Sequence, residues 1–274
     1  MPELPEIEVL RRSLEPRLVG RRVEGVRVHN GALREPVSDT DLARGLVGRR
    51  VVSMRRRAKY LLGDVSGDVT LVVHLGMSGR LTLLPASTPL EPHEHVSIAL
   101  DGDERLAFRD PRRFGLVLAL PSGSLDEDRH FRRLGLEPLG DELTGARLRA
   151  LAGGRRGPVK SFLMNGNLVV GVGNIYASEA LFHAGIHPRR SVARIGRGRW
   201  DELASAIRRV LGRAIDEGGT TLNDFRDAEG REGYFRVSLE VYGRAGEPCR
   251  RCGRPIRRIV QTGRSTFYCP GCQR

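Results

Sequence analysis

Four cysteines at the end of the chain are the residues whose chemistry can be read from spacing alone. Cys249 and Cys252 stand in "CRRC", Cys269 and Cys272 in "CPGC", and sixteen residues separate the two pairs. Each CxxC places two thiolates on one side of a tight turn, and two such knuckles complete a tetrahedral S4 site for one structural zinc ion. The intervening "RPIRRIV", "QTGR" and "STFYC" read as strand, turn and strand, a zinc ribbon with Gly263 and Arg264 at its hairpin tip. Two disulfides or a redox CxxC are the competing readings. A reducing compartment disfavours the first, and the duplicated motif without a thioredoxin-like context disfavours the second. An S4 zinc has no open position, so catalysis has to be sought elsewhere.

The opposite end raises a different question. The chain opens "MPELPEIEVL", with Glu3, Glu6 and Glu8 at the start of a protein whose 46 Lys+Arg outnumber its 33 Asp+Glu, for a net charge of +13. Such a balance points to an anionic partner, most often nucleic acid, although an arginine-favouring genome would raise it too. Nothing in the acidic N-terminus resembles a signal peptide and no window is apolar enough to span a bilayer. A cytoplasmic protein without membrane contact is expected.

Stepping outward, the elements that must carry these groups change period along the chain. Residues 4–18 read as one amphipathic helix, with Pro5 in the first turn, Glu6 and Glu8 at the positive end of the dipole, and Ile7, Leu10, Leu14 and Leu18 in a stripe. From Arg22 to Leu120, "VEGVRV", "DVTLVVHL", "HVSIALD", "RLAFRD" and "GLVLAL" predict short antiparallel strands in a sandwich or barrel. After Pro121, "ELTGARLRALA", "GPVKSFLMN", "NIYASEALFHAG" and "GRWDELASAIRRVLGRAIDEG" have helical spacing. A polar stretch at 218–233 is long enough to be a functional loop. "RVSLEVYGR" then reads as a strand leading to the ribbon.

"VVGVGNIYASEALF" is a poor dinucleotide fingerprint, since Tyr176 replaces the third glycine and no βαβ unit surrounds it. Gly171 and Gly173 fit a tight turn between helices with Asn174 as N-cap. That turn suits a phosphate or is a plain helical hairpin.

The motifs "MPELPEIE", "RRAKYLL", "HLGMSGRL", "DPRRFG", "VVGVGNIYASEALF", "TTLNDF", "VYGR" and "GRSTFYCPGCQ" occur in the order seen in formamidopyrimidine-DNA glycosylases, bacterial enzymes that excise oxidised purines. The resemblance runs from Pro2 to Gln273. It implies an α+β multidomain fold: an N-terminal helix plus two-layer antiparallel β-sandwich (1–130), a helix–two-turn–helix domain with a base-recognition loop at 218–233 (131–235), and a C-terminal zinc ribbon (236–274). It implies a monomer acting on damaged double-stranded DNA.

The resemblance also implies roles. The Pro2 amine, freed by removal of Met1, would be the nucleophile, and Glu3 the general acid that protonates the opening sugar. Glu6 would share that pocket. Lys59 matches the lysine of β-elimination, and Arg264 the arginine that holds the lesion phosphate and is linked to δ-elimination. Met77, Arg112 and Phe114 match the residues that fill the void left by the everted base. His74, Lys160, Asn174 and Tyr242 match phosphate contacts, and His93 and Arg155 are further DNA-contact candidates. DNA would lie in the cleft between the first and last domains.

Asn165 stands where the family usually has Asp, which could loosen the turn before Gly171. Arg155 stands where lysine is common. The sister group that excises oxidised pyrimidines usually has Gly at the place of Leu4 and lacks the Met–Arg–Phe set. A non-catalytic zinc-ribbon DNA-binding protein would need neither Pro2, Glu3 nor Lys59.

Overall fold

The computed structural model describes residues 2–219 and 239–274. They form two units, one built on residues 2–132 and the other on 133–217 and 239–274.

In the first unit, helix α1 (Leu4–Leu18) starts where Pro5 supplies a pre-set φ in its first turn. Its predicted stripe is the buried one: Ile7, Leu10, Leu14 and Leu18 join the main core, with Leu4 also buried. The strands are β1 (Val23–Val28), β2 (Val51–Arg57), β3 (Tyr60–Val65), β4 (Val69–His74), β5 (Arg80–Pro85), β6 (Glu94–Leu100), β7 (Glu104–Arg109) and β8 (Leu116–Pro121). They pair into two antiparallel four-stranded sheets, ordered β1-β6-β7-β5 and β2-β3-β4-β8. Val23, Ile98, Leu106, Leu81 and Phe108 of the first sheet share that core with Met54, Leu61 and Val73 of the second. Burial alternates clearly along β5, where Leu81 and Leu83 are buried, as a strand with one face on a sandwich core should.

Strands β2, β3 and β5 and one helix escape the sequence reading. Helix α2 (Asp39–Leu46) lies among the expected strands. Its N-cap Ser38 accepts the Asp41 N–H, and Leu42 and Leu46, one turn apart, are its buried residues. Strand β2, "VVSMRRR", carries three arginines that hide its period of two. They fit because the sheet supplies carboxylates: Asp64 on β3 takes a two-pronged bond from Arg55 (2.6 and 2.7 Å) and hydroxyl bonds from Ser53 and Thr70.

In the second unit, α3 (Gly145–Ala152), α4 (Val159–Leu163), α5 (Asn174–His183) and α6 (Arg197–Asp216) precede a hairpin of β9 (Arg257–Gln261) and β10 (Arg264–Tyr268). α5 is buried along nearly its whole length, and Phe182 packs in one cluster with Val241, Ile256, Phe267, Cys249 and Cys269. The hairpin thus docks on α5. Its turn residues, Thr262 (φ 49°) and Gly263 (φ 71°), both lie in the left-handed region, the geometry of a tight two-residue turn.

The predicted strand over "RVSLEVYGR" is not formed in its described part. Leu239–Arg244 bends instead, because the backbone N–H groups of Glu240, Val241 and Tyr242 all turn to one carboxylate, that of Glu179 (2.8–3.0 Å). Three consecutive donors facing one anion cannot alternate as a strand ladder does. Among the described residues no helix is long and apolar enough to cross a membrane.

Burial pushes the Asp64 carboxyl up, but Arg55, Ser53 and Thr70 outweigh it and hold its pKa at about 2. A depressed carboxylate stabilises the fold above the unfolded value near 4 and loses that contribution as pH falls towards 2. After allowing for solvent screening, D64N should cost about 1 kcal/mol at pH 7 and only a small fraction of that at pH 2. Urea unfolding at the two pH values checks this, and an unchanged gap would contradict it.

Candidate active site and nucleic-acid interface

The sequence candidates of the first unit lie at the head of α1 and on turns of the sandwich. Pro2 is half-buried ahead of the helix, and Glu3, its N-cap, is buried. Glu3 and Glu6 close a capping box, in which the Glu6 carboxylate accepts the Glu3 backbone N–H at 2.7 Å. Glu6 therefore fixes the peptide that carries Pro2. The N-terminal acids serve the helix, as dipole and capping arguments ask, and the same bond immobilises the chain end.

Lys59 is not in a strand. It is the second residue of the two-residue turn between β2 and β3, after Ala58 in the left-handed region (φ 54°). α1 is tied to the strand entering that turn. The Arg56 guanidinium reaches Glu8 at 3.3 Å, and Arg11 donates to the Met54 carbonyl. Burial would raise the Glu8 pKa, but Arg11, Arg12 and Arg56 outweigh it and hold the carboxyl below its ordinary value.

His74 ends β4 beside the same turn, its ring 4.9 Å from that of Tyr60. Its Nδ1 accepts the Gly76 N–H at 2.9 Å and faces the Arg34 guanidinium at 3.3 Å. Two donors on Nδ1 leave the proton on Nε2, a neutral donor suited to a phosphate oxygen. Burial, with help from Arg34, Lys59 and His130, pushes its pKa down to about 3.

Met77 and Phe114 are large apolar side chains left 40% and 45% exposed, each on its own turn. The exposed Arg112 guanidinium lies 5.1 Å from the Phe114 ring centre. His93 is exposed with φ 67°, just before β6. His95, two residues on, turns both ring nitrogens to backbone carbonyls, those of Asn30 and Asp110.

In the second unit the residues centre on Asn174. Gly173, not Asn174, is the N-cap of α5. The Asn174 side chain turns to the ribbon instead: its Nδ2 donates to the Ser265 carbonyl (3.0 Å) and the Tyr242 hydroxyl (3.3 Å), and its Oδ1 accepts from Lys160 (2.6 Å). Lys160 is 2% exposed, with a second bond to Thr266 (2.7 Å), so it supports Asn174 from behind. The turn after α4 is closed despite Asn165, whose Oδ1 accepts the Asn167 N–H at 3.0 Å as an aspartate would. Arg155 is exposed on the loop after α3, and Arg264 opens β10 at the exposed hairpin end. Thr220 to Phe225 of the expected base-recognition loop lie outside the described residues.

The four cysteine sulfurs all lie within 4.8 Å of one another, with Cys249–Cys272 at 3.9 Å and Cys252–Cys269 at 3.4 Å. Four thiolates about 2.3 Å from a zinc ion stand about 3.8 Å apart, whereas a disulfide needs about 2.0 Å. The cluster fits one zinc with every position filled by sulfur, and its work is to hold the ribbon.

Family models match along the chain in this order: the formamidopyrimidine-DNA glycosylase N-terminal domain at residues 1–117, its H2TH domain at 134–226, and a zinc finger found in this enzyme and in IleRS at 246–274. A formamidopyrimidine-DNA glycosylase of Acidithiobacillus ferrooxidans is 51% identical over 276 residues, covering all of both chains. The chain belongs to the formamidopyrimidine-DNA glycosylase family. Solved structures of the Lactococcus lactis glycosylase agree. One, bound to DNA containing N7-benzyl-Fapy-dG, has a TM-score of 0.92 at 32% identity over the whole of both chains. Another, bound to DNA with an abasic site, has a TM-score of 0.92 at 31% identity and 99% coverage of each.

Within this member of the glycosylase family, the sequence reading missed Asp110, Ser78 and Glu179. Asp110 and Glu179 were legible only as acids inside otherwise basic or apolar motifs. A histidine that is neutral at physiological pH should show no titration of its ring signals in NMR spectra between pH 8 and 5. An inflection near 6 for His74 would contradict the assignment of its proton.

Proposed function

We propose that this chain is a DNA glycosylase of base excision repair that removes oxidised purines, 8-oxoguanine and formamidopyrimidines, and then cuts the strand as an abasic-site lyase. The observation that carries this reading is the capped chain end, where a buried Glu3 adjoins Pro2 and Glu6 holds the peptide between them.

Once Met1 is removed, the Pro2 amine has a pKa of about 8, so an appreciable fraction is the neutral nucleophile. Its nitrogen bonds to C1′ of the damaged nucleoside, and the bond from C1′ to the base breaks. Glu3 gives a proton to the sugar ring oxygen as the C1′–O4′ bond opens. The amine's own proton passes to the departing base, and an iminium joins Pro2 to C1′. That cation acidifies the 2′ C–H. Lys59, on its turn beside the α1-bound strand, is the group we assign to the β-elimination that expels the 3′ phosphate. Arg264 is assigned to the lesion phosphate and to the δ-elimination that expels the 5′ phosphate. Water then hydrolyses the iminium and restores Pro2. The abasic-site DNA held by the Lactococcus lactis relative supports the lyase half.

A base inside a duplex cannot be reached, so the enzyme must fill the gap that eversion leaves. Phe114 as wedge, Arg112 on the orphaned base and Met77 in the vacated space suit that task. His74, His93, Arg155, Asn174 and Tyr242 are assigned to the phosphate backbone, with Lys160 placed to hold Asn174. Both the charge of +13 and the Fapy-dG DNA bound by the Lactococcus lactis relative support a damaged-DNA substrate. Zinc thiolates suit the reducing cytoplasm.

The test is incision of a duplex with 8-oxoguanine opposite cytosine. Wild-type protein should leave phosphate on both sides of the gap. E3Q should slow removal of the base by 100-fold or more, the scale of a lost general acid, yet still cut a preformed abasic site, where no base has to leave. An inert wild type, or equal loss of both activities in E3Q, would refute the assignment.

A further inference from the structure

We propose that the carboxylate of Asp110 is a positioning residue that builds Met77, Arg112 and Phe114 into a single preassembled wedge before DNA arrives; this rests on the glycosylase reading above. Asp110 is fully buried, yet it sits between two exposed turns. Its Oδ1 accepts the Ser78 hydroxyl at 2.6 Å and the Arg112 N–H at 3.2 Å, and its Oδ2 accepts the Gly115 N–H at 2.7 Å. Ser78 is the neighbour of Met77, while Arg112 and Gly115 bracket Phe114. One carboxylate therefore joins both turns.

The backbone of Asp110 extends the joint. Its carbonyl accepts from the His95 ring (2.9 Å) and the Arg113 N–H (3.2 Å), and its N–H donates to the His93 carbonyl (3.0 Å). The turns also touch directly. Gly76 has φ 63°, and a Cβ there would come within 2.6 Å of the Phe114 backbone. The Met77 turn is closed by its own bond from the Gly79 N–H to the Leu75 carbonyl (2.8 Å).

A buried carboxylate needs donors, and here every donor named comes from a turn carrying an exposed apolar or cationic side chain. Two exposed side chains of this size on neighbouring flexible turns would ordinarily fold back onto apolar surface. Held by charge-assisted bonds, they stay presented, and the ordering cost is met on folding instead of on binding.

Ser78→Ala removes the link to the Met77 turn while leaving the Phe114 turn bonded. It is expected to lower kcat/KM for 8-oxoguanine excision from a duplex roughly tenfold, the scale of one hydrogen bond to a charged group. Cleavage of a preformed abasic site in single-stranded DNA, which needs no wedge, should stay within about twofold. Ser78→Thr keeps a hydroxyl and should recover duplex excision. Asp110→Asn should show the same split with a larger duplex loss, because one amide oxygen cannot replace both carboxylate oxygens and the NH2 would face either the Gly115 N–H or the Ser78 and Arg112 donors. Equal losses on both substrates would mean a merely structural role, and no loss on either would mean that the wedge assembles without the link. Each result overturns the proposal. Wild-type protein inert on both substrates would instead sink the glycosylase reading itself.

Discussion

A chain end proposed as a nucleophile has one peptide bond to hold it, and the other requirements of the proposed site follow from that weakness. The answer in this molecule is a helix cap. Glu6 reaches back to the N–H of Glu3, and the helix behind it is fixed by Leu4, Ile7, Leu10, Leu14 and Leu18 in the sandwich core. Glu8 continues the anchorage sideways through Arg56 to the strand that ends in the Lys59 turn. Chain end and hairpin turn are thereby tied to one rigid sheet, which is what proximity catalysis asks of groups proposed to act on adjacent carbons of one sugar. Of the acids that looked out of place in a basic chain, Glu6 caps the start of the helix and Glu8 anchors it to Arg56.

The second unit solves a related problem without a core of its own for the ribbon. A hairpin of five-residue strands is marginal alone. Here the four-cysteine cluster closes one end, the Phe182 cluster seats the middle, and Lys160 and Asn174 bond to Thr266 and Ser265 near Arg264, the first residue of β10. Glu179 is the counterpart of Asp110 in the first unit: a buried carboxylate that gathers three N–H donors and sets the path of Glu240–Tyr242. Burial pushes its pKa up and the three donors pull against it. In both units, side chains assigned to DNA stand on turns whose shape is dictated by a hidden acid.

The sequence disclosed much of this because periodicity and spacing are local signals. The α1 stripe, the zinc ribbon and the helices after Pro121 could be read from one-dimensional patterns, and the structure places them where those patterns put them. What it concealed depends on partners distant in the chain. Arginines in β2 look wrong for a strand until Asp64 and Glu8 are beside them. Asn174 looks like an N-cap until Lys160, Tyr242 and Ser265 claim its amide. "RVSLEVYGR" has strand composition, and only Glu179, about sixty residues earlier, bends its described part. The roles of Met77, Arg112 and Phe114 came from resemblance, whereas their common tether through Ser78 and Asp110 is visible only in three dimensions.

The claim on which the account turns is that the Pro2 nitrogen makes the bond to the damaged sugar. Borohydride reduction of the protein on duplex DNA carrying 8-oxoguanine opposite cytosine, followed by mass spectrometry of the linked peptide, tests it directly. The account predicts one covalent adduct, on the N-terminal peptide at Pro2, with Met1 absent. An adduct on a lysine, or none from intact zinc-loaded protein lacking Met1, would contradict it.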